Sequence, residues 1–225
     1  MVLQESANEE FSIGKCVATD DSAPEVCNPR VALTLRNSDS AKCSLYYSYV
    51  RALKPNHVVV IGQELANFAI CVAEGMREIG GGSLSLIRPP SLRIGERLLN
   101  RLRAAHDDSV GEHFKLHGVE DIVTGYDWPV EHFFAEYERH RLPKIDMAIV
   151  DGDRPFRNVR LDLTCVIANS HRDSIVFLHG NNLNRRKSSR SSRIRQWLNR
   201  MKEDEAGIEI VALDSGPLLI RITQG

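Results

Sequence analysis

The chain has 225 residues and a formal net charge of −1, from 29 Lys and Arg against 30 Asp and Glu. This length fits one large domain that buries most of its unfolded surface without disulfides or metals. The hydrophobic fraction of 42% and the charged fraction of 26% exclude a wholly disordered chain. The near-zero net charge excludes a protein that is basic over its whole surface, although it allows a local basic patch.

The sequence also bears on the cellular compartment in which the protein is expected. No apolar run reaches the roughly 18 residues of a membrane span, and the opening MVLQESANEE lacks the basic and apolar regions of a signal peptide. The five cysteines have no CxxC or zinc-finger spacing. We therefore expect a cytoplasmic protein without a membrane partner, in which Cys71 and Cys165 are small core residues.

The first 40 residues differ in composition from the rest. Residues 1–29 hold six acids and a single base, and their apolar residues follow neither a helical nor a strand period. We expect residues 1–40 to be a loosely ordered acidic arm or lid, and residues 41–225 to form the domain.

From Ala41 the apolar residues recur at periods that predict alternating helices and strands. The segments HVVVIG and KIDMAIVDGD are typical of strands buried on both faces. The alternation predicts an α/β, doubly wound, mostly parallel seven-stranded sheet. Its last two strands share a short turn and must be an antiparallel C-terminal hairpin. We expect strands at 57–62, 83–87, 120–125, 144–153, 174–180 and within 208–223, and helices at 44–53, 66–79, 92–106, 128–140, 159–169 and 194–203.

The first of these helices has Leu45, Tyr49, Val50 and Leu53 on one side, which we expect to be its buried face.

Ligands of an open α/β sheet bind outside the carboxyl ends of the strands. That rule selects five short segments: Gly62–Phe68, Arg88, Gly125–Trp128, Asp151–Arg154 and His179–Asn182.

Two segments carry a resemblance to a known family. IDMAIVDGDRPFRNVRLDL and the terminal IVALDSGPLLIRI, with LHGNN between them, are similar to the corresponding parts of class I S-adenosylmethionine (SAM)-dependent methyltransferases. The nearest branch is the small-molecule O-methyltransferases related to catechol methyltransferase, and the resemblance spans residues 41–223. It implies a Rossmann-like fold, SAM as cofactor, and methyl transfer to a hydroxyl of a small-molecule or glycan-like acceptor.

The resemblance also implies a set of cofactor-binding residues. Gly62 and Glu64 belong to the turn that approaches the amino-acid part of the cofactor, with Gly62 otherwise needed only for the turn. Gly125 and Asp127 would line the cleft, with Asp127 bonding the exocyclic amine of adenine. Trp128 would stack on the adenine ring.

Three positions depart from the family pattern. Ala66 stands where a second glycine is expected, and Phe68 replaces a small or hydroxylated residue and is large enough to fill the cofactor space. Arg88 stands where an acid accepts both ribose hydroxyls. Arginine has five donors and no acceptor, so it suits a phosphate or a carboxylate instead, or it pairs with an acid such as Glu64.

Asp151 and His179 are the predicted catalytic residues, which would orient or deprotonate the acceptor. His179 has the alternative of a satisfied buried histidine. Asp153 is either part of the site or a cap for a helix that begins near Pro155.

In metal-dependent members of the family, an acid after the fourth strand and an Asp-Asn pair after the fifth hold a magnesium or calcium ion. Asp151 matches the first ligand and Asn181 the last, but Gly180 replaces the middle carboxylate. His179 and Asp153 are the alternative ligands of a softer or rearranged site. A divalent metal is compatible with this pattern and is not expected, because a hard cation loses one of its few oxygen ligands.

Residues 185–202 contain eight Lys and Arg and no acid. The segment RRKSSRSSR, residues 185–193, is predicted to be a flexible basic insertion, either solvated or bound to an anionic partner such as RNA. The main alternative to an enzyme is therefore a pseudoenzyme, a catalytically inactive methyltransferase-fold protein. It would bind a partner or an anionic ligand such as phosphate or RNA through Arg88 and the basic loop. A homodimer stays open as well.

Overall fold

The computed structural model describes residues 37–90, 108–137, 139, 141–180, 189–203, 207–212 and 217–223. Residues 1–36 of the predicted arm, the predicted helix 92–106 and Asn181 lie outside these ranges, as do residues 185–188 of the basic run. Residues 37–40 were assigned to the arm, but they form the first turn of a helix.

The described residues form six helices and seven strands. The helices are α1 (Asn37–Leu53), α2 (Ala66–Glu78), α3 (Asp108–Leu116), α4 (Val130–Ala135), α5 (Phe156–Asn169) and α6 (Ser189–Glu203). The strands are β1 (His57–Ile61), β2 (Ser83–Ile87), β3 (Val123–Tyr126), β4 (Ile145–Asp151), β5 (Ser170–His179), β6 (Ile208–Ala212) and β7 (Leu218–Ile222).

The sheet has the order β3-β2-β1-β4-β5-β7-β6. The neighbours from β3 to β5 are parallel, whereas β7 is antiparallel to both β5 and β6. This arrangement confirms the predicted Rossmann-like, mostly parallel sheet with its antiparallel terminal hairpin. The strand order reverses between β1 and β4, so the carboxyl ends of these two strands mark the switch point at which ligands bind in such sheets.

Apolar residues cover both faces of the sheet, as the buried strand patterns predict. One face packs against α1 and α2 through a cluster that includes Tyr46, Val60, Phe68 and Phe177. The other face packs against α4, α5 and α6. Helix α1 crosses close to α2 because Gly75 has no side chain; a Cβ there would lie 3.2 Å from a methyl group of Val50.

The buried stripe of α1 differs from the predicted one. Val50 is buried, but Leu53 is 39% exposed, so its assignment to the buried face was wrong. The stripe instead runs through Cys43, Tyr46 and Val50, at the three- and four-residue spacings of one helix face. Leu53 is the last residue of α1, immediately before Lys54 turns the chain away with a φ of 50°.

Helix α3 was not predicted, because Gly111 interrupts a short segment with few apolar residues. Helix α6 begins at Ser189, so the prediction of a loop over residues 185–193 was wrong for its last five residues. None of the helices in the described ranges is long and apolar enough to cross a membrane.

Candidate active site

The predicted catalytic pair lies at the switch point of the sheet. Asp151 and His179 are register partners at the ends of β4 and β5, and the backbone N–H of Gly152 donates to the carbonyl oxygen of His179 over 2.5 Å. Paired residues of neighbouring parallel strands point to the same face of the sheet. The carboxylate and the imidazole therefore leave the sheet side by side.

Gly62 lies next to this pair. It follows Ile61, the last residue of β1, and its N–H donates to the carbonyl of Ile87 at the end of β2 over 3.0 Å. A Cβ on Gly62 would lie 2.9 Å from the Cβ of Asp151 and equally close to the side chain of Leu65. Gly62 is thus required for more than its turn, because it lets the end of β1 pack directly against Asp151.

The surroundings of Asp151 favour its neutral form. Burial raises the pKa of its carboxyl, and the nearby charges of Asp153 and Glu64 act in the same direction. The backbone N–H of Asp153 donates to Oδ1 over 2.9 Å, and this bond together with the charge of Arg154 opposes the rise in pKa. The pKa of this carboxyl is therefore higher than that of an exposed aspartate.

An aromatic cluster from α1 and α2 packs against His179. The hydroxyl of Tyr46, on α1, lies 2.8 Å from Nδ1 of His179. The ring of Phe68, on α2, lies 4.6 Å from the imidazole and 5.5 Å from the Tyr46 ring, centroid to centroid. Phe68 is only 4% exposed. Its ring therefore belongs to the core beneath the strand ends, where it fixes the position of the histidine.

Arg88 and Asp127, predicted separately, form an ion pair. Nη2 of Arg88 donates to Oδ2 of Asp127 over 2.8 Å. The Arg88 side chain is 16% exposed and that of Asp127 is 64% exposed. The Arg88 side chain thus lies against the end of β2, while the Asp127 carboxylate is exposed to solvent.

The other predicted binding residues lie at the ends of β1 and β3 or in the turns that follow them. Gly125, on β3, is exposed, and a Cβ placed on it would meet no atom of the described residues within 4 Å. Trp128 is half-buried, with its ring 5.1 Å from that of Tyr126 and 4.9 Å from that of His132. Glu64 is exposed in the turn after β1. Open space and exposed carboxylates therefore occur together along the ends of β1, β2 and β3.

The sequence interpretation gave no role to three side chains near the strand ends, those of Gln63, Arg154 and Asp162. Nε2 of Gln63 donates to the carbonyl of Pro89 over 2.8 Å and ties the turn after β1 to the end of β2. Arg154 donates to Oδ2 of Asp162, a fully buried acid on α5. Burial raises the pKa of Asp162 to about 7. Asp162 had a signal in the sequence, because it lies on the apolar stripe of its helix between Val159 and Val166.

Two other predictions concern metal binding and capping. Among the residues that the structure describes, no group of three or more His, Cys, Asp or Glu side chains is arranged to hold a metal ion, and Asn181 lies outside them. Of the two alternatives given for Asp153, the structure does not bear out the cap of α5. The N-cap is Pro155, which makes no side-chain capping bond.

The comparisons with known proteins bear on the fold. No protein-family model matches the chain, and no curated protein matches its sequence. Solved structures do match. An O-methyltransferase from Bacillus cereus in complex with SAH, the demethylated cofactor, has 14% identity and a TM-score of 0.63, with 87% of each chain covered.

Two further structures are similar. An O-methyltransferase from Streptomyces achromogenes, involved in tomaymycin synthesis and solved with SAM, has 12% identity and a TM-score of 0.61, covering 94% of this chain and 93% of its own. A SAH-bound methyltransferase from Podospora anserina has 17% identity and a TM-score of 0.56, covering 87% and 86%. The chain therefore has the fold of class I O-methyltransferases over most of its length, which confirms the predicted resemblance at the level of fold.

Proposed function

We propose that this protein is a SAM-dependent O-methyltransferase that acts on a hydroxyl of a small or glycan-like molecule. The observation that carries the proposal is the pairing of Asp151 with His179 beside Gly62, at the switch point of the sheet. Similar structures of this fold contain SAM or SAH. Fold alone does not give an activity, which must come from the side chains at the strand ends.

The residues present fit a nucleoside cofactor. The ends of β1, β2 and β3 carry exposed hydrogen-bond acceptors in Glu64 and Asp127 and open space above Gly125. When bound, SAM would supply an electrophilic methyl group. Gly62, Glu64, Gly125, Asp127 and Trp128 are the residues that would hold it.

Methyl transfer depends mainly on positioning, because the acceptor oxygen must be held in line with the methyl group. Asp151 and His179 would orient the acceptor hydroxyl and take up its proton. The raised pKa of the Asp151 carboxyl makes it a better proton acceptor near neutral pH. The Phe68 and Tyr46 rings restrict the movement of His179, so the proton acceptor is preorganised.

Calorimetry of the purified full chain with SAM and SAH tests cofactor binding, and transfer of a labelled methyl group to a panel of phenols, catechols and sugars tests activity. We expect binding of both nucleosides and a large loss of turnover in Asp151→Asn, with binding of SAH kept. Asp173→Asn is the matched control, because Asp173 is an exposed acid paired with Arg221 away from the site. Absence of binding by a folded sample would overturn the proposal.

A second candidate function is binding of an anionic partner such as RNA. Helix α6 carries exposed basic side chains at Arg193, Arg200 and Lys202, while Ile194 and Leu198 are buried beneath it. Such binding depends on phosphate contacts and falls steeply with salt. A single-stranded RNA should bind weakly at 200 mM salt and much more tightly at 50 mM. An affinity that does not change with salt would exclude this function.

A further inference from the structure

The Arg88–Asp127 ion pair occupies the place at which doubly wound sheets recognise ribose. In nucleotide-binding sheets of this kind, an acid after the second strand accepts a hydrogen bond from a ribose hydroxyl. Here β2 is followed by Arg88, which offers donors and no acceptor. The acid nearest to this position is Asp127, on the neighbouring strand end.

The register places both side chains on one face. Ile87 pairs with Tyr126 at the ends of β2 and β3, and the N–H of Arg88 donates to the carbonyl of Tyr126 over 2.8 Å. The parallel ladder thus continues one step beyond the strands, to Arg88 and Asp127. Their side chains leave the sheet on the same side as Gly125, where a Cβ would meet nothing within 4 Å in the part of the chain that the structure describes.

The two exposures decide what this pair presents to a ligand. Arg88 is the buried member at 16% exposure, and Asp127 is the outward member at 64%. One carboxylate oxygen, Oδ2, accepts from the guanidinium. A carboxylate has about four lone-pair sites, so Asp127 keeps capacity to accept further hydrogen bonds.

The same contrast argues against an anion at this position. A phosphate approaching Arg88 would meet the Asp127 carboxylate at the more exposed position, and like charges at this range repel. A neutral ligand with hydroxyl donors meets an oriented acceptor instead. The pair therefore favours a hydroxylated ligand over the phosphate or carboxylate that Arg88 alone suggested.

We propose that Asp127, held in place by Arg88, accepts the ribose hydroxyls of the nucleoside cofactor. In such sheets the hydrogen-bond acceptor for ribose follows the second strand. Here it follows the third strand, β3, about one strand spacing (~4.8 Å) away. Arg88 is then a positioning residue, whose hydrogen bond keeps the Asp127 carboxylate directed along the strand ends. This inference rests on the proposed function, because it assigns the ribose part of the same cofactor site.

The test is calorimetry of the full chain with SAH and its 2′-deoxy and 3′-deoxy analogues. In the wild type, removal of a hydroxyl that Asp127 bonds should weaken binding at least about tenfold, as expected for the loss of a hydrogen bond to a charged group. In Asp127→Asn, SAH should bind more weakly and the difference between SAH and the deoxy analogue should fall to about twofold or less. Arg88→Met should reduce the same difference while leaving part of it.

Asp121→Asn is the matched control. Asp121 is an exposed acid whose ion pair with Arg77 has the same 2.8 Å distance and lies before β3 rather than after it. This variant should bind SAH and discriminate against the deoxy analogues like the wild type. Thermal unfolding of each variant shows that the loss is not one of folding.

The outcomes separate this inference from the proposed function. If the folded wild type does not bind SAH, both are overturned. If it binds SAH and Asp127→Asn keeps the full discrimination against the deoxy analogues, only the assignment of Asp127 fails. If Asp127→Asn instead removes discrimination against a SAH analogue that lacks the 6-amino group, Asp127 belongs to the adenine and the ribose assignment is wrong.

Discussion

The Tyr46 hydroxyl lies 2.8 Å from Nδ1 of His179, a contact between residues 133 positions apart in the chain. Tyr46 is fully buried, and burial raises the pKa of its phenol far above the usual range. The phenol therefore stays protonated at any physiological pH. His179 has a partner that does not change its charge, and α1 thereby becomes part of the site.

Tyr46→Phe removes this hydrogen bond and keeps the ring. We expect the free energy of unfolding to fall by about 1 kcal/mol, the usual net value of a hydrogen bond. If His179 acts on the acceptor, kcat should fall more than KM rises, and the pH profile of kcat should shift. Tyr49→Phe is the control, since its ring packs on Phe177 from the same helix. Equal effects of the two variants on the pH profile would contradict the role of Tyr46.

Gly62→Ala tests the contact between the end of β1 and Asp151. The new methyl group would lie 2.9 Å from the Asp151 Cβ and from Leu65, and such overpacking costs about 1–3 kcal/mol. We expect a lower melting temperature in thermal unfolding. Gly125→Ala is the matched control, because its methyl group meets open space, and its melting temperature should stay within about 2 °C of the wild type. A Gly62→Ala protein as stable as Gly125→Ala would refute the close packing.

His57 should make the protein sensitive to acid. It is fully buried beside Ser83, and burial lowers its pKa from 6.5 to about 4, although Asp146 opposes the shift. Between these values the unfolded chain binds a proton that the folded protein does not. Above pH 6.5, His57 therefore does not lower the free energy of unfolding. As the pH falls toward 4, that free energy decreases by up to ~3 kcal/mol.

Urea unfolding at a series of pH values between 7 and 4.5 measures this dependence. His57→Gln should flatten the curve relative to the wild type. His113→Gln, which replaces an exposed histidine on α3, should leave the slope unchanged. A His57→Gln curve that runs parallel to the wild-type curve would show that another group is responsible.

The same substitution should have different effects in two helices. Gly111 lies within α3, and a Cβ there meets nothing within 4 Å, so Gly111→Ala should stabilise the protein by about 0.5–1 kcal/mol. Gly75 lies within α2, where a Cβ would approach Val50 to 3.2 Å and Tyr47 to 3.3 Å. Gly75→Ala should therefore gain less or destabilise. Chemical denaturation of both variants decides this, and equal gains would contradict the close crossing of α1 and α2.

Much of the site followed from one regularity of the sequence. The unbroken apolar runs that became β1, β4 and β5 identify central strands, and the residues after such strands meet at one edge of a parallel sheet. This regularity predicts that Gly62, Asp151 and His179 lie together. The short turn between the last two strands likewise required their antiparallel pairing.

What the sequence did not predict depends on contacts between distant segments. Phe68 looked like an obstacle in the cofactor space, but its ring packs on Tyr46 and His179, and no local pattern indicates that contact. Arg88 and Asp127 were interpreted one at a time, because the register of β2 against β3 was unknown. The exposures of the two side chains make Asp127 the member of the pair that faces a ligand and Arg88 the member that positions it.

The position of β7 has a consequence for the order of folding. Strand β6 is synthesised before β7, is parallel to β5, and is joined to it through α6, which is the usual connection for adjacent parallel strands. In the native sheet, however, β7 lies between them. A nascent chain that has reached residue 212 can pair β6 directly with β5, and that pairing would have to dissociate before β7 could insert. Folding should therefore be slower when β6 pairs with the edge of β5 before β7 can reach that edge.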